Sequence, residues 1–184
     1  MNRVNRSETT HPTLGDTSEL SCTTMASPVG ELTLIASPRG LRAVLWPGEL
    51  GAPERLRRPD EGDPAAERVL RAAQQQLHEY FAGERHEFDL PLDPVGTEFQ
   101  QAAWMQLRAI PYGATISYGE QARRLGDVRK SRAVGAANGR NPISIIVPCH
   151  RVVGSNGALT GFAAGLDAKA WLLRHEQGTL TLLD

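Results

Sequence analysis

The stretch Ile143 to Val153 reads Ile-Ser-Ile-Ile-Val-Pro-Cys-His-Arg-Val-Val, an apolar run interrupted by proline, cysteine, histidine and arginine. Such a run belongs in an interior, so it fixes the centre of whatever core the chain builds. Ile143, Ile145, Ile146 and Val147 have the composition of an interior strand. Pro148 has no N–H for a ladder and is expected to end it, which places Cys149 at a strand-to-turn exit. Neighbouring side chains on a straight strand face opposite ways. His150 can therefore assist Cys149 only if the chain curls at Pro148 or a water bridges the two. The thiolate is the nucleophilic form, and apolar burial opposes ionisation unless a base or cation is close. His150 and Arg151 are neighbours of that kind, although an isolated Cys-His pair more often marks a structural cysteine.

At 184 residues with 40% hydrophobic content, the chain can bury one good core or two small ones. No run approaches the length of a membrane span, and residues 1–22 contain no apolar segment resembling a signal sequence. A cytoplasmic protein, nuclear in a eukaryote, with no membrane partner is expected. Two cysteines, Cys22 and Cys149, make no disulfide framework. The net charge of -1 argues against a globally basic nucleic-acid binder. Its distribution is uneven, however. Arg123, Arg124, Arg129, Lys130, Arg132, Arg140 and Arg151 face only Asp127 between residues 123 and 151, a concentration suited to phosphate contact.

Residues 1–19 are polar without periodicity and read as a disordered tail. Strands are expected at about 20–26, 31–36 and 41–46. The turn signals Ser27-Pro28-Val29-Gly30 and Ser37-Pro38-Arg39-Gly40 between them suggest an antiparallel meander. A Pro- and Gly-rich loop over about 47–63 leads to Asp63-Pro64, an N-cap with proline at the first helical position. The helix that follows carries Val69, Ala73, Leu77 and Tyr80 or Phe81 on one face and stops at Gly83. A linker over about 84–94, with Pro91 and Pro94, divides the chain into residues 20–93 and 94–184.

The second half opens on Thr97-Glu98-Phe99-Gln100, a capping box before a helix displaying Phe99, Ala103, Leu107 and Ile110. Ser117 caps a short helix to about Leu125, and Gly126-Asp127 make a turn. A second helix over about 130–138 completes a helix-turn-helix. That helix displays Ser131, Ala133, Gly135, Ala136 and Ala137, too short for base-edge reading in the major groove. Small residues permit close backbone approach and contact through shape and phosphate. A C-terminal helix, Leu166 to Gln177, buries Trp171, Leu172 and Leu173. Glu176 sits unfavourably near its negative end, which suggests a partner elsewhere, while His175 reads as surface.

Pro-Cys-His-Arg-Val at 148–152, Ser-Tyr-Gly-Glu at 117–120, Arg-Ala-Val-Gly at 132–135, Asn-Pro at 141–142 and Lys-x-Trp-Leu-Leu-x-x-Glu at 169–176 occur in one order. The chain resembles the O6-alkylguanine-DNA alkyltransferases, the methylated-DNA–protein-cysteine methyltransferases, from about Ser27 to Gln177. The resemblance implies that Cys149 accepts the alkyl group and that a chain of Cys149, water, His150 and Glu176 withdraws the thiol proton. It implies that Tyr118 contacts the flipped guanine and protonates it, and that Asn141 braces the turn before the cysteine. It further implies that the helix-turn-helix enters the minor groove, with Arg132 filling the space of the flipped base. Ser131, Ala133, Gly135, Lys130 and Arg151 are then expected at the DNA. Val152, Phe162, Ala163 and Ala164 are expected around the base, with Ala163 and Ala164 standing where relatives often have serine or glycine. Some relatives hold a zinc in the N-terminal part. Here Ser18, Pro38 and Arg42 stand near those places, so no metal and no cofactor are expected.

The reading is an α+β fold: a small ribonuclease-H-like antiparallel-sheet subdomain followed by a helix-turn-helix, winged-helix-like domain. The expected function is irreversible transfer of a methyl or small alkyl group from O6-alkylguanine, and O4-alkylthymine, in double-stranded DNA to Cys149 of a monomer. A helix-turn-helix regulator would explain the basic window but not the Cys149, His150, Glu176 constellation. A cysteine hydrolase would leave the DNA-binding half idle.

Overall fold

The computed structural model describes residues 13–49, 56–58 and 61–178. Strands β1 (Ser21–Met25), β2 (Leu32–Ser37) and β3 (Gly40–Leu45) form an antiparallel meander in the order β1-β2-β3, with a bulge at Ile35/Ala36. The expected turns lie between them. In the first, Ser27 Oγ donates to Gly30 C=O and Gly30 takes a φ of 109°. Nearly every residue of β2 and β3 is buried, because the sheet is covered on both faces. Leu32, Leu34, Ala36, Leu41 and Val44 join the main core, whereas Cys22, Ile35, Ala43 and Leu45 pack with Leu20 and Leu56 in a smaller cluster.

Helix α1 (Pro64–Phe81) begins where Asp63 accepts from the Ala65 N–H, with Pro64 in the first turn. It lays Val69, Leu70, Ala73, Leu77 and Tyr80 against the core and ends before Gly83, whose φ is 77°. The linker then adds to the free edge of β3. Leu41 N–H donates to Pro91 C=O and Asp93 N–H to Leu41 C=O, each at 2.8 Å. Leu14, inside the segment expected to be a disordered tail, packs on the smaller cluster and accepts from buried Arg42. Residues 1–12, and residues 50–55 and 59–60 of the loop expected at 47–63, lie outside the described residues.

Helix α2 (Glu98–Leu107) carries the expected capping box, made by Thr97 and Gln100. Its inner face is Ala103, Trp104 and Leu107, continued by Ile110, while Phe99 is half-exposed beneath the Lys130 ammonium. Helix α3 (Tyr118–Arg124), capped by Ser117, and helix α4 (Ser131–Gly139) form the helix-turn-helix, joined by a 3-10 turn at Val128–Lys130. Buried hydrogen bonds lock the unit. Gln121 and Asn138 exchange reciprocal side-chain bonds of 3.2 and 2.7 Å, and Trp104 Nε1–H donates to Ala137 C=O at 2.8 Å. Ala137, expected on the outer face, is buried by this contact. A parallel two-residue pairing joins β4 (Ile116–Ser117) to β5 (Val152–Val153), and α5 (Leu166–Glu176) closes the fold.

Candidate active site and nucleic-acid interface

Residues 142–147 do not form the expected interior strand. They make a compact series of turns in which Val147 N–H donates to Ile143 C=O at 2.9 Å, and Cys149–Arg151 forms one turn of 3-10 helix. The Asn141 side chain replaces strand partners: its Nδ2–H donates to Val147 C=O at 2.7 Å and its Oδ1 accepts from Ile143 N–H at 3.0 Å. Prolines at 142 and 148 remove two further donors. The apolar composition reflects complete burial, which a short strand and a buried turn share. Ile145 has a φ of 76°, a strained conformation for a β-branched residue, held by a side chain with no exposed surface. Val44 N–H of β3 donates to Pro142 C=O at 2.8 Å and fastens the turn to the sheet.

Because Cys149, His150 and Arg151 form a 3-10 turn, His150 does not follow a strand's alternation. Cys149 is buried, which pushes its thiol up from the ordinary range, while hydrogen bonds from Asn141 and Ser144 and the nearby Lys169 ammonium act the other way. His150 is fully buried. Burial pushes its imidazole down and Glu176 opposes that shift. His150 Nε2–H donates to Glu176 Oε1 at 2.7 Å, which leaves Nδ1 as the basic nitrogen, without a hydrogen-bond partner among the described residues.

Glu176 collects donors from four residues in three parts of the chain. Tyr80 Oη–H donates to Oε1 at 2.8 Å. Arg151 Nε–H reaches Oε2 at 2.8 Å and its Nη2–H reaches Oε1 at 3.0 Å. Gly113 N–H reaches Oε2 at 3.0 Å. Burial pushes the carboxyl up, but the hydrogen bonds and charges of His150 and Arg151 outweigh it and hold the group well below the usual carboxylate range. Arg151 was expected at the DNA. It is instead buried, paired with Glu176 and donating to Ile110 C=O at 2.6 Å, because a guanidinium following Cys149 and His150 on a 3-10 turn points into the fold.

Lys169 was not singled out by sequence. It is fully buried, with Nζ–H groups donating to Val152 C=O at 2.6 Å and Thr160 C=O at 2.8 Å, and it lies 5.8 Å from the Tyr118 ring centre. Its spacing on α5 carried the signal, since Lys169, Leu172 or Leu173, and Glu176 recur on one helical face. Tyr118 Oη–H donates to Thr160 C=O at 2.9 Å, and burial pushes its phenol above the ordinary value. Phe162 meets Trp46 edge-on at 5.6 Å, Ala164 is half-buried against the main core and Ala163 is exposed. His175 is half-buried, not a surface residue: its ring stacks on Trp171 and its Nε2–H donates to Tyr80 C=O at 2.7 Å.

On α4, Arg132, Ala133 and Ala136 are exposed and Ser131 and Gly135 are half-buried. A Cβ on Gly135 would lie 3.7 Å from the Tyr118 ring, so the small residue brings the helix backbone close to that tyrosine. The basic window is less free than its composition suggests. Arg123 and Arg124 pair with Glu120, and Arg129 pairs with Asp127. Lys130, Arg132 and Arg140 have no carboxylate partner among the described residues. A zinc does not fit the N-terminal part as described. Arg42 is buried against Asp93, and no group of three His, Cys, Asp or Glu residues is placed to hold a metal ion among the described residues.

A sheet subdomain, a helix-turn-helix with a small-residue outer face, and a buried cysteine backed by a histidine–glutamate pair define a class: DNA-binding proteins that carry a reactive-thiol centre. The description "6-O-methylguanine DNA methyltransferase, ribonuclease-like domain" matches residues 20–94, and "6-O-methylguanine DNA methyltransferase, DNA binding domain" matches residues 98–178. The chain belongs to the 6-O-methylguanine DNA methyltransferase family. A methylated-DNA–protein-cysteine methyltransferase of Methanosarcina acetivorans is 49% identical over 150 residues, 82% of this chain and 94% of the relative. One of Mycolicibacterium paratuberculosis is 46% identical over 165 residues, 88% of this chain and 97% of the relative. The crystal structure of Mycobacterium tuberculosis O6-methylguanine methyltransferase aligns with a TM-score of 0.76 at 44% identity, covering 89% of this chain and 96% of its own. The Mycobacterium tuberculosis OGT in complex with DNA aligns with the same TM-score and identity, covering 86% and 93%.

Proposed function

We infer that this protein performs direct DNA repair, moving a methyl or small alkyl group from guanine O6, or thymine O4, in double-stranded DNA to Cys149. It acts as a cytoplasmic monomer. The single observation that carries the reading is the buried Cys149 beside a His150 whose Nε2–H is held by Glu176, on the same fold as a helix-turn-helix faced with small residues.

The thiol proton passes to His150 Nδ1, directly or through one water, and the resulting imidazolium is stabilised by the Glu176 carboxylate. The sulfur lone pair attacks the alkyl carbon as the carbon–O6 bond breaks. Guanine leaves with the bond's electrons and takes a proton from Tyr118, which its raised pKa keeps protonated at neutral pH. Tyr118 regains a proton from solvent as His150 releases to solvent the one it took from the thiol, so the transfer has no net proton uptake. The thioether formed has no carbonyl for water to attack, so the reaction occurs once per protein. A stacked base cannot reach a buried sulfur, and the flipped base requires a side chain to occupy its place. Arg132, exposed near the start of α4, supplies it. Ser131, Ala133 and Gly135 let the helix approach the groove, and Lys130 meets phosphate. Phe162, Ala164, Ala163 and the Val152 backbone surround the base.

Intact mass after incubation with duplex containing O6-methylguanine tests this reading. One added methyl group on the Cys149 peptide, absent in Cys149→Ser, is the expected result. An unmodified protein, or a methyl carried by another residue, would overturn it.

A further inference from the structure

Tyr80 is the largest side chain with no exposed surface among the described residues, and it comes from α1, in the half of the chain that holds the three-stranded sheet. Its hydroxyl donates to Glu176 Oε1 at 2.8 Å, the same oxygen that accepts from His150 Nε2–H at 2.7 Å. The hydroxyl is not free to turn away. The Tyr80 ring meets Tyr112, Phe81 and His175 edge-on, with centres 6.1, 5.3 and 5.1 Å away, and its backbone carbonyl accepts from His175. Adjacent residues of α5, His175 and Glu176, thus grip one residue of α1 at two points.

We propose that Tyr80 is a positioning residue that sets the basicity of His150 through their shared acceptor, Glu176 Oε1, and so makes α1 part of the proton-transfer machinery. A donor on a carboxylate oxygen draws negative charge toward itself and leaves less to stabilise a neighbouring imidazolium. The hydroxyl therefore keeps His150 less basic than a Glu176 bound to histidine and arginine alone would make it. The charged and titratable groups around the pair are Arg151 and Cys149 on the catalytic turn, Lys169 and His175 on α5, Tyr112 after α2 and Tyr80 on α1. Of the side chains that donate to Glu176, only Tyr80 can be deleted as a donor by removing one neutral hydroxyl.

The kinetic part of the test rests on the alkyl-transfer reading; the titration does not. In the full-length protein, 15N NMR titration of His150 should show its pKa rising in Tyr80→Phe by about 0.5–1 unit. The rate of Cys149 methylation by O6-methylguanine duplex should fall about 3- to 10-fold on the acid limb, where the raised pKa protonates the base, and match or exceed wild type on the plateau. A purely structural tyrosine would slow the reaction equally at every pH and leave the His150 pKa in place. That outcome would overturn the proposal. Should Tyr80→Phe fail to fold, 3-fluorotyrosine at position 80, a stronger donor of similar shape, should move the His150 pKa downward, and an unmoved or raised value would sink the idea. A His150 pKa that shifts in Tyr80→Phe, together with a wild type that transfers no alkyl group, would refute the proposed reaction while leaving the coupling through Glu176 standing.

Discussion

Arg151 grips both oxygens of Glu176, Nε–H to Oε2 and Nη2–H to Oε1, at a point where the carboxylate has no exposed side-chain surface. The basic residue beside the reactive cysteine is thus committed to the interior. Its removal would leave a buried carboxylate without its cation.

Arg151→Met is therefore expected to lower unfolding free energy by about 3–5 kcal/mol, the range for breaking a buried ion pair. Denaturant unfolding measures the loss. The salt dependence of duplex binding should stay as in wild type, and a reduced slope would return Arg151 to the DNA interface.

Arg132→Ala should slow repair of methylated duplex far more than reaction with free O6-benzylguanine, because only the duplex has a vacated base position to fill. Rates of inactivation with both substrates give the comparison. An equal loss with both would make Arg132 a general structural residue.

Salt dependence should be shallow for so basic a segment. Arg123, Arg124 and Arg129 already have carboxylate partners and Arg151 is buried, which leaves Lys130, Arg132 and Arg140 as the cations of the basic window without a carboxylate ion pair among the described residues. Three phosphate contacts correspond to a slope of roughly -2.7 in log K against log salt concentration. A slope of roughly -5.4, for six contacts, would mean that the three surface ion pairs open on binding.

Stability should fall on mild acidification, with a component that belongs to His150. Burial depresses its pKa below 6.5 in the fold, so the unfolded chain binds a proton that the folded one resists. The contribution is complete above about pH 6.5 and is lost as pH falls toward the folded pKa, at up to about 1.4 kcal/mol per pH unit. Glu176 adds its own loss only below its ordinary value of 4.5. Comparing unfolding free energies of wild type and His150→Gln between pH 7 and pH 5 isolates the first component. Parallel curves would show that His150 titrates alike in the folded and unfolded chain, and a wild type that gains stability relative to His150→Gln on acidification would show that it is charged in the fold.

Much of this was legible in the sequence for local reasons. Asp63-Pro64, the Thr97–Gln100 capping box and the two Ser-Pro-x-Gly turns are short-range devices that settle their own geometry. The run from Ile143 to Val147 was misread as a strand because composition reports burial, and burial is common to a strand and to a turn braced by Asn141. Trp104 escaped notice, since α2 offers two aromatic residues, Phe99 and Trp104, on different faces and only packing against Ala137 decides which one turns inward. Arg151 and Tyr80 were beyond reach for a further reason. Their partner Glu176 is 25 residues from one and 96 from the other, and nothing local announces a carboxylate that distant.

The fastening of Val44 to Pro142 has a consequence for solubility. A three-stranded meander has two edge strands, and open edges invite pairing with other chains. Here β1 is covered by the segment at Arg57, which accepts from Cys22 N–H at 2.9 Å, and β3 by Pro91 near one end and Pro142 near the other. The segment that leads into the Cys149 turn is therefore also a guard on the sheet, covering the end of β3 that Pro91 leaves open. The amide exchange rate of Val44 would report on how firmly that turn covers the edge of β3.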